Sequence, residues 1–124
     1  DQPDTRQPSC RRIRRAVAAH PFMLAGTGRF DNRVMKSTGE KALIKTGAEG
    51  VYCASFPERG LGAAIKVDDG AGRAAQIIMG RLLRRFGILS EEEAAALGGV
   101  FSAPVLNRAG RLVGEIRPAA DIPF

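Results

Sequence analysis

The period of the apolar positions changes near residue 40. Upstream, they recur at helical spacing: Cys10, Ile13, Val17 and His20 share one side of a segment from about 10 to 20, for which Ser9 is a good N-cap. Pro21 ends that helix or begins the next turn. Residues 25–31, "AGTGRFD", read as a glycine-punctuated loop. The segment from there to Thr38 can turn Phe30, Val34 and Met35 inward, and Gly39 closes it.

Downstream, "KALIKT" (41–46), "GVYCASF" (50–56) and "GLGAAIKV" (60–67) have the β-branched and aromatic content of strands. Short turns between them predict an antiparallel three-strand meander. "DDGAG" (68–72) then leads into a helix from about 73 to 86, with Ala74, Ile77, Ile78, Leu82 and Phe86 as its apolar stripe and Gly87 as its C′ stop. That helix is expected to pack across the meander. Ser90 with Glu93 forms a capping box for the short helix "EEEAAAL", ended by Gly98. The tail "APVLNRAGRLVGEIRP" reads as two short strands joined at "NRAG". The expected fold class is α+β: an antiparallel sheet packed by helices within a single domain, residues 1–124.

Composition narrows the function classes. With 44% hydrophobic and 26% charged residues, the chain is neither disordered nor membrane-spanning in character. No apolar run reaches the roughly 20 residues of a spanning helix, and "DQPDTRQPS" is no signal peptide. A soluble, cytoplasmic protein is expected. Cys10 and Cys53 lie far apart without metal-ligand spacing, which suits reduced thiols and no self-contained zinc site. The net charge of +6 raises nucleic acid as a partner. However, the dense stretches "RRIRR" (11–15) and "RLLRR" (81–85) look like wet faces of amphipathic helices and carry no interleaved aromatics.

The chemistry centres on Lys45-Thr46-Gly47. A lysine at a strand end can aim its ammonium at a substrate carboxylate or assist proton transfer. The threonine hydroxyl can join that network, the glycine lets the strand approach a substrate, and the next N–H, that of Ala48, can face a developing oxyanion. Serine acyl-transfer enzymes pair such a triplet with an S-x-x-K nucleophile motif. None occurs here: Ser9, Ser37, Ser55, Ser90 and Ser102 are followed at the fourth position by Arg12, Glu40, Glu58, Glu93 and Val105. Thr38 with Lys41 has the spacing, but Gly39 interrupts it.

From His20 onward, "HPFMLAGTGRFDNRVM", "KTGAEGVYCASFPERGLGAAIKVDDGAGRAAQIIMGRLLRRFG" and "PVLNRAGRLVGEIRP" resemble the C-terminal third of the bacterial L-asparaginase II family. Its fold is similar to those of serine β-lactamases and serine-dependent glutaminases. The resemblance implies hydrolysis of L-asparagine to aspartate and ammonia through an acyl-enzyme formed by a Ser-Lys pair. It also implies that this pair lies in an N-terminal region absent here, so the chain is expected to be a C-terminal fragment, inactive alone. Lys45 and Thr46 are the implied catalytic residues, and Gly47, Ala48, Thr27 and Arg29 the implied substrate-binding ones. No cofactor is expected; a metal near the site in longer relatives would have its cysteine and lysine ligands upstream.

Several residues have plainer alternatives. Arg29 could bind a substrate carboxylate or simply be a turn arginine. Cys53 on the middle strand is expected to be a buried small hydrophobe. His20 reads as a helix C-terminal cap, and Asp68 and Asp69 as turn-forming and N-capping residues; Lys66 could be a second active-site lysine, but an exposed strand lysine is the favoured reading. The expected partner is L-asparagine, with no nucleic acid and no membrane; a homodimer is compatible. The rival reading is a non-enzymatic basic module that binds RNA or a partner protein.

Overall fold

The computed structural model describes residues 4–119. Helices α1 (Arg6–Ala19), α2 (Pro21–Ala25) and α3 (Phe30–Thr38) come first, then strands β1 (Leu43–Thr46), β2 (Val51–Phe56) and β3 (Leu61–Lys66). Helices α4 (Gly72–Arg85) and α5 (Glu91–Leu97) follow, and β4 (Ala103–Leu106) with β5 (Leu112–Ile116) closes the chain. The class is α+β. Strands β1, β2 and β3 pair antiparallel in that order, the expected meander, while β4 and β5 form a separate two-stranded sheet. Among the described residues no helix is long and apolar enough to cross a membrane.

Strand parity decides where the core lies. On β2, Tyr52, Ala54 and Phe56 are buried and alternate with more open positions. They share an inner face with Ile44 of β1 and with Ala63 and Ile65 of β3. Onto that face pack Phe30 and Val34 of α3 and Ala75, Met79 and Leu83 of α4. Burying side chains of this size contributes about 1.5–3 kcal/mol each, so this face holds most of the fold's hydrophobic stabilisation. The inward turn of Phe30, Val34 and Met35 is as the sequence suggested.

The same parity corrects the expectation for Cys53. It alternates with Tyr52 and Ala54 and therefore leaves β2 on the outer face, exposed, in register with Lys45 and Ala64. A middle strand is shielded from water on both faces only when both are covered.

The stripe of α4 is also rotated from expectation. Core contact runs through Ala75, Met79 and Leu83, while Phe86 is the C-cap and 37% exposed. The reason is a second covering: the backbone at Val100 crosses the helix at Gly80, where an added Cβ would lie 2.6 Å from the Val100 carbonyl oxygen. Ile77 and Leu82 are buried as well, so more than one face of the helix is enclosed. Arg84 further spans this crossing, its guanidinium 5.3 Å from the Phe101 ring centroid.

At the N-terminus, Ser9 is not a cap. Helix α1 starts at Arg6 behind Thr5, and the Ser9 hydroxyl donates back to the Thr5 carbonyl at 2.8 Å. No residue of α1 is buried. Asp69 lies two residues ahead of the α4 N-cap, Ala71; it accepts the Ala71 N–H at 2.8 Å and pairs with Arg73 at 2.9 Å, so it shapes the turn without capping the helix. The Ser90–Glu93 capping box and the Asn107-Arg108-Ala109-Gly110 turn form as read. Glu93 additionally takes a 2.6 Å bond from the Lys41 ammonium, which joins α5 to the turn after α3.

Candidate active site

The Lys-Thr-Gly segment ends β1 and enters a tight turn centred on Glu49 and Gly50. Val51 N–H donates to the Ala48 carbonyl at 3.3 Å, and Gly47 N–H to the Val51 carbonyl at 2.8 Å. Glu49 and Gly50 between them have φ of 55° and 69°, both left-handed. Positive φ at both central positions is the type I′ geometry, whose twist suits an antiparallel pair. Glycine takes it freely, but Glu49 has a Cβ and adopts it at a cost of about 1–3 kcal/mol. Neighbouring bonds offset that strain: the Lys66 ammonium donates to the Glu49 carbonyl at 2.8 Å, and Val67 N–H to the Gly50 carbonyl at 3.1 Å. A hydrogen bond from a charged donor contributes about 1.5–3 kcal/mol, the same order as the strain. Gly47 is packed close to Val51, where a Cβ would come within 3.1 Å of the valine Cβ.

Residues Gly26 to Arg29 form the loop that leads into α3. Asn32, inside α3, holds this loop from behind by donating its amide nitrogen to the Gly26 carbonyl at 2.9 Å. Thr27, Gly28 and Arg29 remain exposed, and Arg29 is the N-cap residue of α3. The start of α3 and the end of β1 meet at Asp31. It is fully buried in the first turn of α3, and its Oδ2 accepts the Thr46 N–H at 3.4 Å. Phe30 and Tyr52 stack edge-to-face beside it, ring centroids 5.6 Å apart.

Around this junction three buried polar atoms find no hydrogen-bond partner: Asp31 Oδ1, Asn32 Oδ1 and the Tyr52 hydroxyl. Tyr52 lies beside the side chains of Thr46 and Gln76 without completing a bond of good geometry to either. Burial pushes its phenol above the ordinary value and the Asp31 carboxylate adds to the rise, while Thr46, the Arg29 guanidinium and Gln76 act in the opposite sense. Tyr52 therefore stays protonated at neutral pH.

Lys45 behaves differently from Thr46. Successive strand residues face opposite sides, so Lys45 leaves β1 on the outer face. It is exposed and its ammonium folds onto the Thr46 carbonyl at 2.8 Å. Thr46 is half-buried, and its hydroxyl donates to the Gly47 carbonyl at 3.3 Å. The Ala48 N–H makes no hydrogen bond among the described residues. The structure thus brings Thr46 to the first turn of α3 through Asp31, puts Lys45 on the opposite face of β1, away from the Arg29 loop, and leaves the Ala48 N–H in the turn.

Two residues of this junction were not singled out by sequence reasoning. Asp31 and Tyr52 stand inside "GTGRFD" and "GVYCASF", where a lone polar group in an apolar stripe was the available signal. Lys66 was read as merely exposed; it is exposed, but it is also hydrogen-bonded to two carbonyls, those of Glu49 and Val67. No metal-ligand set arises here: among the described residues no three His, Cys, Asp or Glu side chains gather in one place.

No curated protein matches the chain. Among described families, the one characterised as L-asparaginase II matches residues 1–118. That match runs through the Arg29 loop, the Lys-Thr-Gly hairpin, α4 and the closing β4–β5 hairpin alike, and so the chain belongs to the L-asparaginase II family.

Proposed function

We propose that this chain contributes one wall of an L-asparagine amidohydrolase site, made of the Lys-Thr-Gly hairpin and the Gly26–Arg29 loop. The observation that carries the reading is the Asp31–Thr46 bond, which fixes the two segments to each other beside a family match over residues 1–118.

In the proposed reaction a serine hydroxyl attacks the side-chain amide carbon of asparagine. The C–N bond breaks, ammonia leaves with the proton taken from the serine, and water then hydrolyses the ester to aspartate and regenerates the serine. The Ala48 N–H would bind the developing oxyanion and Arg29 the substrate carboxylate, with Thr46 on the same inner side, while Lys45, on the outer face of β1, would assist the proton transfers only by swinging its exposed ammonium round the strand edge. The sequence holds no S-x-x-K, so the serine and its lysine come from a segment outside these residues, and the isolated chain is inactive. The proposed setting is the cytoplasm, in keeping with two cysteines that are both free.

The test is ammonia release from asparagine by an enzyme in which this chain is joined to an S-x-x-K segment. Losing one transition-state contact of this kind costs about 3 kcal/mol, on the order of a hundredfold in rate. Lys45→Ala should lower kcat/KM by at least that factor with the fold intact, because the side chain is exposed. Normal activity in Lys45→Ala, or turnover by the isolated chain, would sink the reading.

A further inference from the structure

Lys66 ends β3 opposite Val51, the first residue after the hairpin turn. Its ammonium donates two bonds of 2.8 Å, one to the Glu49 carbonyl within the turn and one to the Val67 carbonyl beyond the strand. Around it the turn is held on each remaining side. Val67 N–H donates to the Gly50 carbonyl at 3.1 Å, and Gly70 N–H to the Val67 carbonyl at 3.0 Å. Gly50 is so close to this segment that an added Cβ would lie 3.0 Å from the Gly70 carbonyl carbon.

The carbonyls of Ala48, Glu49 and Gly50 therefore all accept hydrogen bonds, and the middle one depends on Lys66 alone. Glu49 is also the one non-glycine residue with positive φ among the described residues, so this peptide is the least self-sustaining part of the turn. Resting on the function proposed above, we propose that Lys66 is a positioning residue for the hydrolysis. By holding the Glu49 carbonyl it keeps the left-handed turn in place, and so fixes the direction of the Ala48 N–H that receives the oxyanion. It does not touch substrate.

Two measurements test this separately. In the present chain, amide hydrogen exchange at Val51 and Val67 reads the turn directly. Lys66→Met keeps the stem and removes the ammonium; exchange at both amides should rise at least about tenfold, with α4 amides unchanged. Lys66→Arg, which keeps a charged donor, should restore most of the protection. Unchanged exchange in Lys66→Met overturns the clamp.

In the enzyme completed by an S-x-x-K segment, Lys66→Met should lower kcat about tenfold or more and leave KM within about twofold, because an oxyanion contact is made in the transition state and not in the ground state. A raised KM at unchanged kcat would overturn the positioning role. Should that enzyme not hydrolyse asparagine at all, the functional reading fails, while the exchange result still decides whether Lys66 holds the turn.

Discussion

The carboxylate of Asp31 accepts the backbone N–H of Thr46 at 3.4 Å, although fifteen residues separate them. This bond joins the first turn of α3 to the end of β1 at a carboxylate that is fully buried. Asp31→Ala leaves the Thr46 amide without an acceptor and removes a buried side chain. Stability measured by urea unfolding should fall by about 1–3 kcal/mol. A midpoint equal to that of the unaltered chain would show that α3 and β1 hold together without it.

Tyr52 tests the unpartnered part of the junction. Its hydroxyl is buried without a hydrogen bond, so Tyr52→Phe should change stability at neutral pH by no more than about 1 kcal/mol. Alkaline behaviour should differ. Folding raises this phenol above its ordinary 10.0, so its contribution is complete below that value and is lost as pH climbs above it, when the unfolded chain ionises first. Since this is the sole tyrosine, phenolate absorbance of the folded chain reports it alone. Titration at or below 10.0 would contradict the burial argument.

Glu93 gives the acid counterpart. The Lys41 bond, then the Ser90 backbone N–H, hold its carboxyl below the ordinary 4.5. The stabilisation is therefore present above that value and is lost as pH falls through the depressed one. Glu93→Gln should flatten this acid-range dependence in urea midpoints taken from neutral to acid pH. Parallel curves for the two proteins would refute the assignment.

Gly80 and Gly72 separate close approach from helix propensity. Alanine is favoured over glycine in a helix by about 1 kcal/mol. At Gly80 the new Cβ would meet the Val100 carbonyl oxygen at 2.6 Å, an obstacle of backbone that cannot rotate away. Overpacking costs about 1–3 kcal/mol, so Gly80→Ala should be destabilising. At Gly72 nothing lies within 4 Å, and Gly72→Ala should be neutral or stabilising. Thermal melts of the pair decide it; the reverse order would mean that the Val100 segment does not press on α4.

Both cysteines are exposed and free. A chromogenic disulfide reagent should titrate two thiols in the folded chain, and Cys53→Ser should leave one. One thiol reacting before denaturant and the second only after it would place Cys53 inside.

Much of this fold follows from local pattern. The change from helical to alternating period at residue 40 determined the order of helices and strands, and the Ser90–Glu93 box, the "NRAG" turn and the stop at Gly87 each depend on a few neighbouring residues. The Lys-Thr-Gly triplet and the stretches around it were likewise enough to indicate the family.

Which side of each element meets which neighbour was decided only in three dimensions. Parity along β2 allowed Cys53 to face either way until Tyr52, Ala54 and Phe56 were claimed by the core. The stripe of α4 could not be read from its own sequence, because the Val100 segment covers a second side. The Asp31–Thr46 bond and the Lys66 clamp are contacts across fifteen and seventeen residues. Local propensity carries no information about such pairs, since each depends on where the packed sheet and helices bring two distant backbones together.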